Sequence, residues 1–141
     1  MRISVVDGQG GGIGRAIVEK LRASFGDEIE ILALGTNAMA ASVMMKSGAN
    51  ECASGENAIV VNAPKVDVII GGVAILAANS MLGELTPLMA KAISESGALK
   101  ILIPLNRCNI VVAGAENVPL PHYIDHAVKM IEKLMEENKN V

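Results

Sequence analysis

The chain has 141 residues, a formal net charge of −3 and a hydrophobic fraction of 51%, yet it contains one Phe, one Tyr and no Trp. This length fits one domain, which we take as residues 1–141. The scarcity of aromatic rings and of basic runs argues against binding to single-stranded or duplex nucleic acid. The longest uncharged stretch, residues 68–83, is too short to cross a bilayer, so we expect no membrane attachment.

The cysteines and the N-terminus indicate a compartment. Cys52 and Cys108 lie far apart and form no CxxC pair. Asp7 and Gly8 interrupt the first apolar run, so that run does not resemble a signal peptide. Both observations favour a reduced, cytoplasmic setting.

Strand and helix patterns alternate along the chain. Apolar, β-branched runs predict strands at residues 2–6, 28–34, 51–54, 67–71 and 100–105, with a short sixth at 110–113. Helical spacing of apolar residues predicts helices at 15–24, 38–46 (capped by Thr36 or Asn37), 73–82, 87–96 (capped by Thr86) and from Pro119 onward, fraying over the last six residues. The segment 55–63 is ambiguous: its β-branched run favours a strand, but its position between two parallel strands favours a short crossover helix, which we predict.

This alternation predicts an α/β fold. Parallel strands joined by right-handed helical crossovers form a doubly wound, three-layer αβα sandwich. We expect a mainly parallel sheet of five or six strands in the order 3-2-1-4-5, which is a Rossmann-like arrangement.

A glycine-rich turn separates the first predicted strand from the first helix. Its candidate ligand-binding residues are Asp7, Gly8, Gln9, Gly10, Gly11, Gly12, Ile13 and Gly14. Glycines permit close backbone approach, and the amides at the start of a helix attract anions. The turn therefore favours binding of a phosphate-bearing ligand, although a tight strand-to-helix turn without a ligand is the alternative. Asp7 could contact a ligand hydroxyl or a metal, or brace the turn through backbone hydrogen bonds.

The end of the second strand is less informative. NAD-binding proteins usually place an acidic residue there to hold the ribose, but this chain has no acidic residue between Glu30 and Glu51. Thr36 and Asn37 could hydrogen-bond a ribose, and they are also ordinary helix caps. The turn thus predicts a phosphate site, with NAD, NADP or another nucleotide as possible cofactors.

Further candidates follow the fourth and fifth strands, whose carboxyl ends border the expected crevice. Gly71 and Gly72 end the fourth strand, and Asn79 follows, reaching either the crevice or the interior together with Ser80. Asn106 and Arg107 follow the fifth strand, where Arg107 could clamp a phosphate or carboxylate or form an interface salt bridge.

Catalytic and metal-binding patterns are weak. Cys108 could act as a nucleophile, but a structural cysteine is the commoner case. His122 and His126 have a spacing that can bind a metal, yet no further ligand accompanies them and a solvated helix face is the simpler interpretation. We expect no metal, and no catalytic residue can be assigned.

The motifs DGQGGGIG, ALGTNA, ANSMLGE and IPLNRC together resemble an uncharacterised family of short, Rossmann-like proteins from anaerobic bacteria, a domain of unknown function. The resemblance covers nearly the whole chain. It implies a pocket around Asp7, Gly8, Gln9, Asn37, Asn79, Asn106 and Arg107, but no established reaction.

The first fifty or so residues also resemble, more distantly, the nucleotide-binding half of short-chain dehydrogenases. The shared feature is the GxxxGxG spacing of Gly8, Gly12 and Gly14. Those enzymes use a Tyr-xxx-Lys pair, whereas Tyr123 is followed four residues later by Ala127. The resemblance therefore does not extend to dehydrogenase activity.

Three functional hypotheses remain. The first is a nucleotide- or dinucleotide-binding protein that forms a homo-oligomer, either a dimer or a tetramer. The second is an enzyme acting on a small phosphorylated or carboxylated metabolite, with Arg107 as clamp and Cys108 or Asp7 as reactive group. The third is a structural or assembly subunit with a vestigial ligand site, for which the uncharged segments 38–45 and 68–83 would supply contacts.

Overall fold

The computed structural model describes residues 1–105 and 108–140. The strands are β1 (Arg2–Asp7), β2 (Glu30–Gly35), β3 (Glu51–Ser54), β4 (Val68–Gly72) and β5 (Leu99–Ile103). The helices are α1 (Gly12–Phe25), α2 (Ala38–Lys46), α3 (Glu56–Asn62), α4 (Pro87–Glu95) and α5 (Leu120–Lys139). Short 3₁₀ turns occupy Gly26–Glu28, Ala63–Lys65 and Val73–Leu76.

The five strands form one sheet in the order β3-β2-β1-β4-β5. Every pairing is parallel, with Ile3 opposite Ile31 of β2 on one side and opposite Val68 of β4 on the other. The predicted α/β class and strand order are therefore confirmed. Because β1 and its neighbours β2 and β4 are covered on both faces, nearly all of their residues are buried.

The sheet separates two apolar cores. Alternation along β1 directs Ile3 and Val5 to the core that α1 and α5 complete, and Val6 to the core beneath α3 and α4. Consecutive residues of one short strand therefore stabilise both layers. This arrangement fixes the carboxyl end of β1 between two packed layers of helices.

Helix boundaries follow the predicted caps in most places. Asn37 caps α2, since its Oδ1 accepts a hydrogen bond of 2.8 Å from the amide of Ala40, and Thr86 caps α4 through the amide of Met89. The ambiguous segment before Ala63 forms helix α3, as predicted. The C-terminal helix remains helical through Lys139.

Two predicted elements are wrong. Residues 110–113 form no strand: they follow Asn109, whose φ is 57°, and precede Gly114 at 83°, so the chain turns on both sides of them. The helix predicted at 73–82 shrinks to the 3₁₀ turn Val73–Leu76. Positive φ angles at Asn79 and at residues 81–83 end helical geometry there.

None of the described helices is long and apolar enough to span a membrane.

Two buried serine hydroxyls differ in whether they have hydrogen-bond partners. Ser4 lies in the middle of β1 at 0% exposure, and its hydroxyl has no hydrogen-bond partner among the described residues. The hydroxyl of Ser96, a residue that is also buried, donates to the carbonyl of Ala63 at 2.7 Å and accepts from the amide of Ala98 at 3.1 Å.

We expect Ser4→Ala to raise the free energy of unfolding by up to about 1 kcal/mol, because the substitution removes an unsatisfied buried group. Ser96→Ala should lower it by about 1–2 kcal/mol, because it leaves Ala63 and Ala98 without their partner. Urea denaturation of both variants measures the difference. Equal losses at the two positions would contradict this account.

Candidate functional site

The crevice of the sheet lies where its connections diverge. The chain leaving β1 enters α1 on one face, whereas the chain leaving β4 leads to α4 on the opposite face. The connections that leave the carboxyl ends of these two paired strands thus diverge, and a crevice lies between them. In doubly wound sheets this crevice is where ligands bind.

Asp7 holds the glycine turn in place. Its Oδ1 accepts a hydrogen bond of 2.8 Å from the amide of Gly8, and its Oδ2 accepts one of 2.7 Å from the amide of Gly14 in α1. The side chain is nearly buried, with 7% of the residue exposed. This bracing is the second of the two roles considered for Asp7 from the sequence.

The backbone of the turn is tight. The amide of Gly11 donates to the carbonyl of Gly8 at 2.9 Å, and Gln9 and Gly11 adopt φ angles of 49° and 75°. A Cβ at Gly11 would lie 2.9 Å from the Cα of Ala40, so α2 packs directly on the turn. Glycine at position 11 is therefore required both for conformation and for space.

Three amides of the turn remain open. Gly10, Gly12 and Ile13 donate no backbone hydrogen bond to any described residue. Gly12 and Ile13 are the first two residues of α1, a helix of 14 residues. Their amides carry the partial positive charge of a helix N-terminus.

These amides border a cavity of about 340 Å³. Its lining comes from the turn, from the end of β4, and from the segments that follow β4 and β5. The lining residues are Asp7, Gly8, Gln9, Gly10, Gly11, Gly12, Ile13, Gly72, Val73, Ala74, Met81, Leu105 and Cys108. The volume lies near the lower end of the roughly 300–1,000 Å³ typical of ligand pockets.

Glu84 reaches the turn from the segment after β4. Its Oε1 accepts hydrogen bonds from the amide of Gln9 at 2.9 Å, from Thr36 Oγ1 at 2.8 Å and from Asn37 Nδ2 at 2.6 Å. These bonds, that of the Gln9 amide first, hold the pKa of the Glu84 carboxyl below its usual value. An acidic group thus lies at the end of β2, although the sequence offers none there.

Sequence reasoning missed Glu84. The available signal was its isolation, because it is the only charged residue between Asp67 and Lys91. Such a lone charge in an apolar stretch invites a search for partners. Its partners lie 47 and more residues earlier in the chain, so no local pattern reveals them.

The other predicted site residues are divided between the cavity and the framework. Thr36 and Asn37 contact Glu84 and do not line the cavity. Gly71 packs against the carbonyl of Val6, since a Cβ there would lie 2.6 Å from that oxygen, whereas Gly72 lines the cavity. Gly14 is engaged by Asp7 rather than facing the cavity.

Residues 79 and 80 serve the segment after β4. The amide of Asn79 donates to the carbonyl of Leu85 at 2.7 Å, and the Ser80 hydroxyl donates to the carbonyl of Ala74 at 2.7 Å. Ser80 therefore provides a hydrogen bond to a buried carbonyl of the interior, which is one of the two roles considered for it from the sequence. Asn106 and Arg107 lie outside the described residues, and their neighbours Leu105 and Cys108 both line the cavity.

His122 and His126 lie elsewhere. They line a separate depression of about 590 Å³ between β5 and α5, together with Tyr123, whose hydroxyl donates to the carbonyl of Glu116. In the part of the chain that the structure describes, no three His, Cys, Asp or Glu side chains come together as metal ligands.

A comparison with known protein families shows which family the chain belongs to. Residues 2–136 match the model of a family described as a domain of unknown function, DUF3842. The chain belongs to the DUF3842 family. The expected membership of such a family is thereby confirmed, and the match includes both the glycine turn and Glu84. No curated protein matches the DUF3842 chain significantly.

Replacement of Gly11 by Ala tests the packing of the turn. We expect Gly11→Ala to lower the free energy of unfolding by about 2 kcal/mol or more, because it combines a positive φ with a clash against α2. Gly10→Ala is the matched control: Gly10 has no positive φ, and a Cβ there meets nothing within 4 Å. Chemical denaturation compares them, and equal stabilities would refute the described turn.

The dependence of the free energy of unfolding on acidic pH tests the hydrogen bonds of Glu84. A carboxyl whose pKa is lowered by folding stabilises the protein above its unfolded pKa, near 4.5, and this contribution is lost as pH falls through the folded pKa. Between about pH 5 and pH 3 the wild type should therefore lose more stability than Glu84→Gln. Glu132→Gln, at an exposed residue of α5 without an ion pair to any described residue, is the control. Parallel profiles for wild type and Glu84→Gln would contradict the bonding at Glu84.

Proposed function

We propose that the protein binds a small, phosphate-bearing ligand of nucleotide size or less in the cavity beside the glycine turn. The observation that carries this proposal is the pair of open amides at Gly12 and Ile13, which begin α1 and line the cavity. A phosphate oxygen accepts hydrogen bonds from such amides and is attracted by the helix dipole.

The arrangement of charges supports one preferred position for the phosphate. Asp7 already accepts hydrogen bonds from the amides of Gly8 and Gly14, and Glu84 accepts one from the amide of Gln9. A bound anion therefore meets the amides of Gly10, Gly12 and Ile13 rather than the whole turn, and those of Gly12 and Ile13 begin α1. Both carboxylates are held in place by the hydrogen bonds that they accept.

We propose Arg107 as a second partner of the phosphate. It is the only charged residue between Lys100 and Glu116, and residues 105 and 108 both line the cavity. A guanidinium can hold two phosphate oxygens at once and would offset the charge of Asp7. Asn106 adds an amide side chain that can donate or accept hydrogen bonds.

One observation favours a second candidate, an enzyme acting on a small phosphorylated or carboxylated metabolite. Cys108 is exposed and lines the same cavity as the open amides. A thiol there lies within reach of a ligand whose anionic group is held at the turn. The expected homo-oligomer also remains a proposal, supported by exposed apolar residues such as Met39 of α2.

Ligand-dependent stabilisation tests the first proposal. At a concentration tenfold above Kd, a ligand adds about 1.4 kcal/mol to the free energy of unfolding, which raises the Tm by roughly 4 °C for a chain of this size. We expect inorganic phosphate, ribose 5-phosphate or AMP to produce such a shift in phosphate-free buffer. No shift with any of these probes would refute phosphate binding.

Two variants locate the effect. Gly12→Ala adds a methyl group where the structure has open space, so the fold should persist while the approach of a phosphate is blocked. Gly97→Ala, equally unhindered but at the turn before β5, is the control and should retain the shift. Arg107→Ala should weaken binding of the same probe at least tenfold. An unchanged shift in Gly12→Ala would place the ligand elsewhere.

A further inference from the structure

We infer that Glu84 is a specificity-determining residue which fills the β2 side of the crevice, so that the site accepts single-phosphate ligands and rejects dinucleotides. This inference rests on the proposed function, because it concerns which phosphate-bearing ligands the same turn admits. It assigns to Glu84 and Met81 a role that depends on their positions against the glycine turn and against the residues that follow β2.

The first argument is the use of donors. In a dinucleotide-binding sheet, the end of β2 holds the ribose of the adenosine half. Here the side-chain amide of Asn37 donates both to Glu84 and to the carbonyl of Gln9, and its oxygen caps α2. The Thr36 hydroxyl and the Gln9 amide donate to Glu84 as well. The donors at the end of β2 that could hold a second phosphate are therefore already engaged by Glu84.

The second argument is space. An ideal Cβ at Gly8 would lie 2.4 Å from Thr36 Oγ1 and 2.5 Å from Met81 Sδ. The segment carrying Met81 and Glu84 thus lies directly on the turn, between the cavity and the end of β2. A ligand in the cavity can extend toward Leu105 and Cys108, but it meets Met81 on the β2 side.

The third argument is charge. Glu84 forms no ion pair with any described residue, and only one of its two carboxylate oxygens accepts hydrogen bonds from them. The carboxylate therefore carries its full negative charge beside Gln9. A pyrophosphate bound across the turn would bring a second anionic group toward it, which Coulomb repulsion opposes.

The fourth argument is that the segment is anchored. Leu85 is fully buried in the core beneath α3 and α4, and its carbonyl accepts from the amide of Asn79. Ser80 is buried and bonded to Ala74. These contacts flank Met81 and Glu84 and hold both residues at the turn. The β2 side of the crevice is therefore occupied by an anchored part of the fold.

The experiment compares AMP with NAD⁺, which contains the AMP moiety within a pyrophosphate. Thermal shifts are measured for the wild type, Glu84→Ala and Glu84→Gln, with Glu132→Gln as a control variant away from the site. Glu84→Gln keeps a side-chain oxygen for Thr36 and Asn37 and removes only the charge, and the Tm of each variant without ligand reports its folding.

We expect AMP, but not NAD⁺, to stabilise the wild type and Glu132→Gln. Glu84→Ala should gain NAD⁺ binding by at least about tenfold, because the variant removes the unit charge that opposes the second phosphate. Glu84→Gln should gain part of it. If the wild type binds NAD⁺ as tightly as AMP, or if neither Glu84 variant changes the preference, the inference is overturned while phosphate binding stands.

A failure of the proposed function gives a different pattern. If no probe stabilises the wild type but a Glu84 variant binds one, the carboxylate is confirmed as an internal occupant of the turn, and the wild-type function is not phosphate binding. If no probe stabilises any of the variants, both the proposed function and the inference are overturned.

Discussion

The carboxylate of Asp7 fixes the relation between the first strand and the first helix. It accepts the amide of Gly8 on the strand side and that of Gly14 on the helix side, at 2.8 and 2.7 Å. Because the carboxylate is almost buried, these charge-assisted bonds are stronger than their exposed equivalents. The turn between them consequently keeps its shape without a ligand, and the positions of the open amides at Gly12 and Ile13 follow from it.

Much of the fold was predictable because its causes are local. Apolar runs such as residues 68–71 can be buried only as interior strands, and the caps at Asn37 and Thr86 are set by the polar atoms of single side chains. The order of the sheet then follows from right-handed crossovers. The segment at 110–113 failed for the opposite reason: β-branched residues give strand propensity, but a strand also needs a neighbour with which to pair.

The site was predictable only in part. The glycine turn is recognisable from eight consecutive residues, whereas the carboxylate at the end of β2 belongs to Glu84, which lies 47 positions after Asn37. The sequence offers Thr36 and Asn37 as ribose contacts or helix caps; Asn37 does cap α2, and a ribose contact stays a prediction. Their partner among the described residues is a side chain of the same protein, and such a pairing depends on tertiary geometry that spacing does not encode.

The two carboxylates have opposite consequences for an anionic ligand. Both make the electrostatic potential at the turn more negative, which disfavours an anion. Yet their hydrogen bonds with the amides of Gly8, Gln9 and Gly14 also order the turn in advance, so that a ligand does not bear the entropic cost of ordering it. What remains is a small number of rigid donors on one side of the crevice, bordered by negative charge on the other. A site of this kind discriminates by position, since an anion gains from Gly12 and Ile13 only if its remaining charge points away from Glu84. Under the proposed function, selectivity at the turn is therefore set by the contacts that the protein makes with itself.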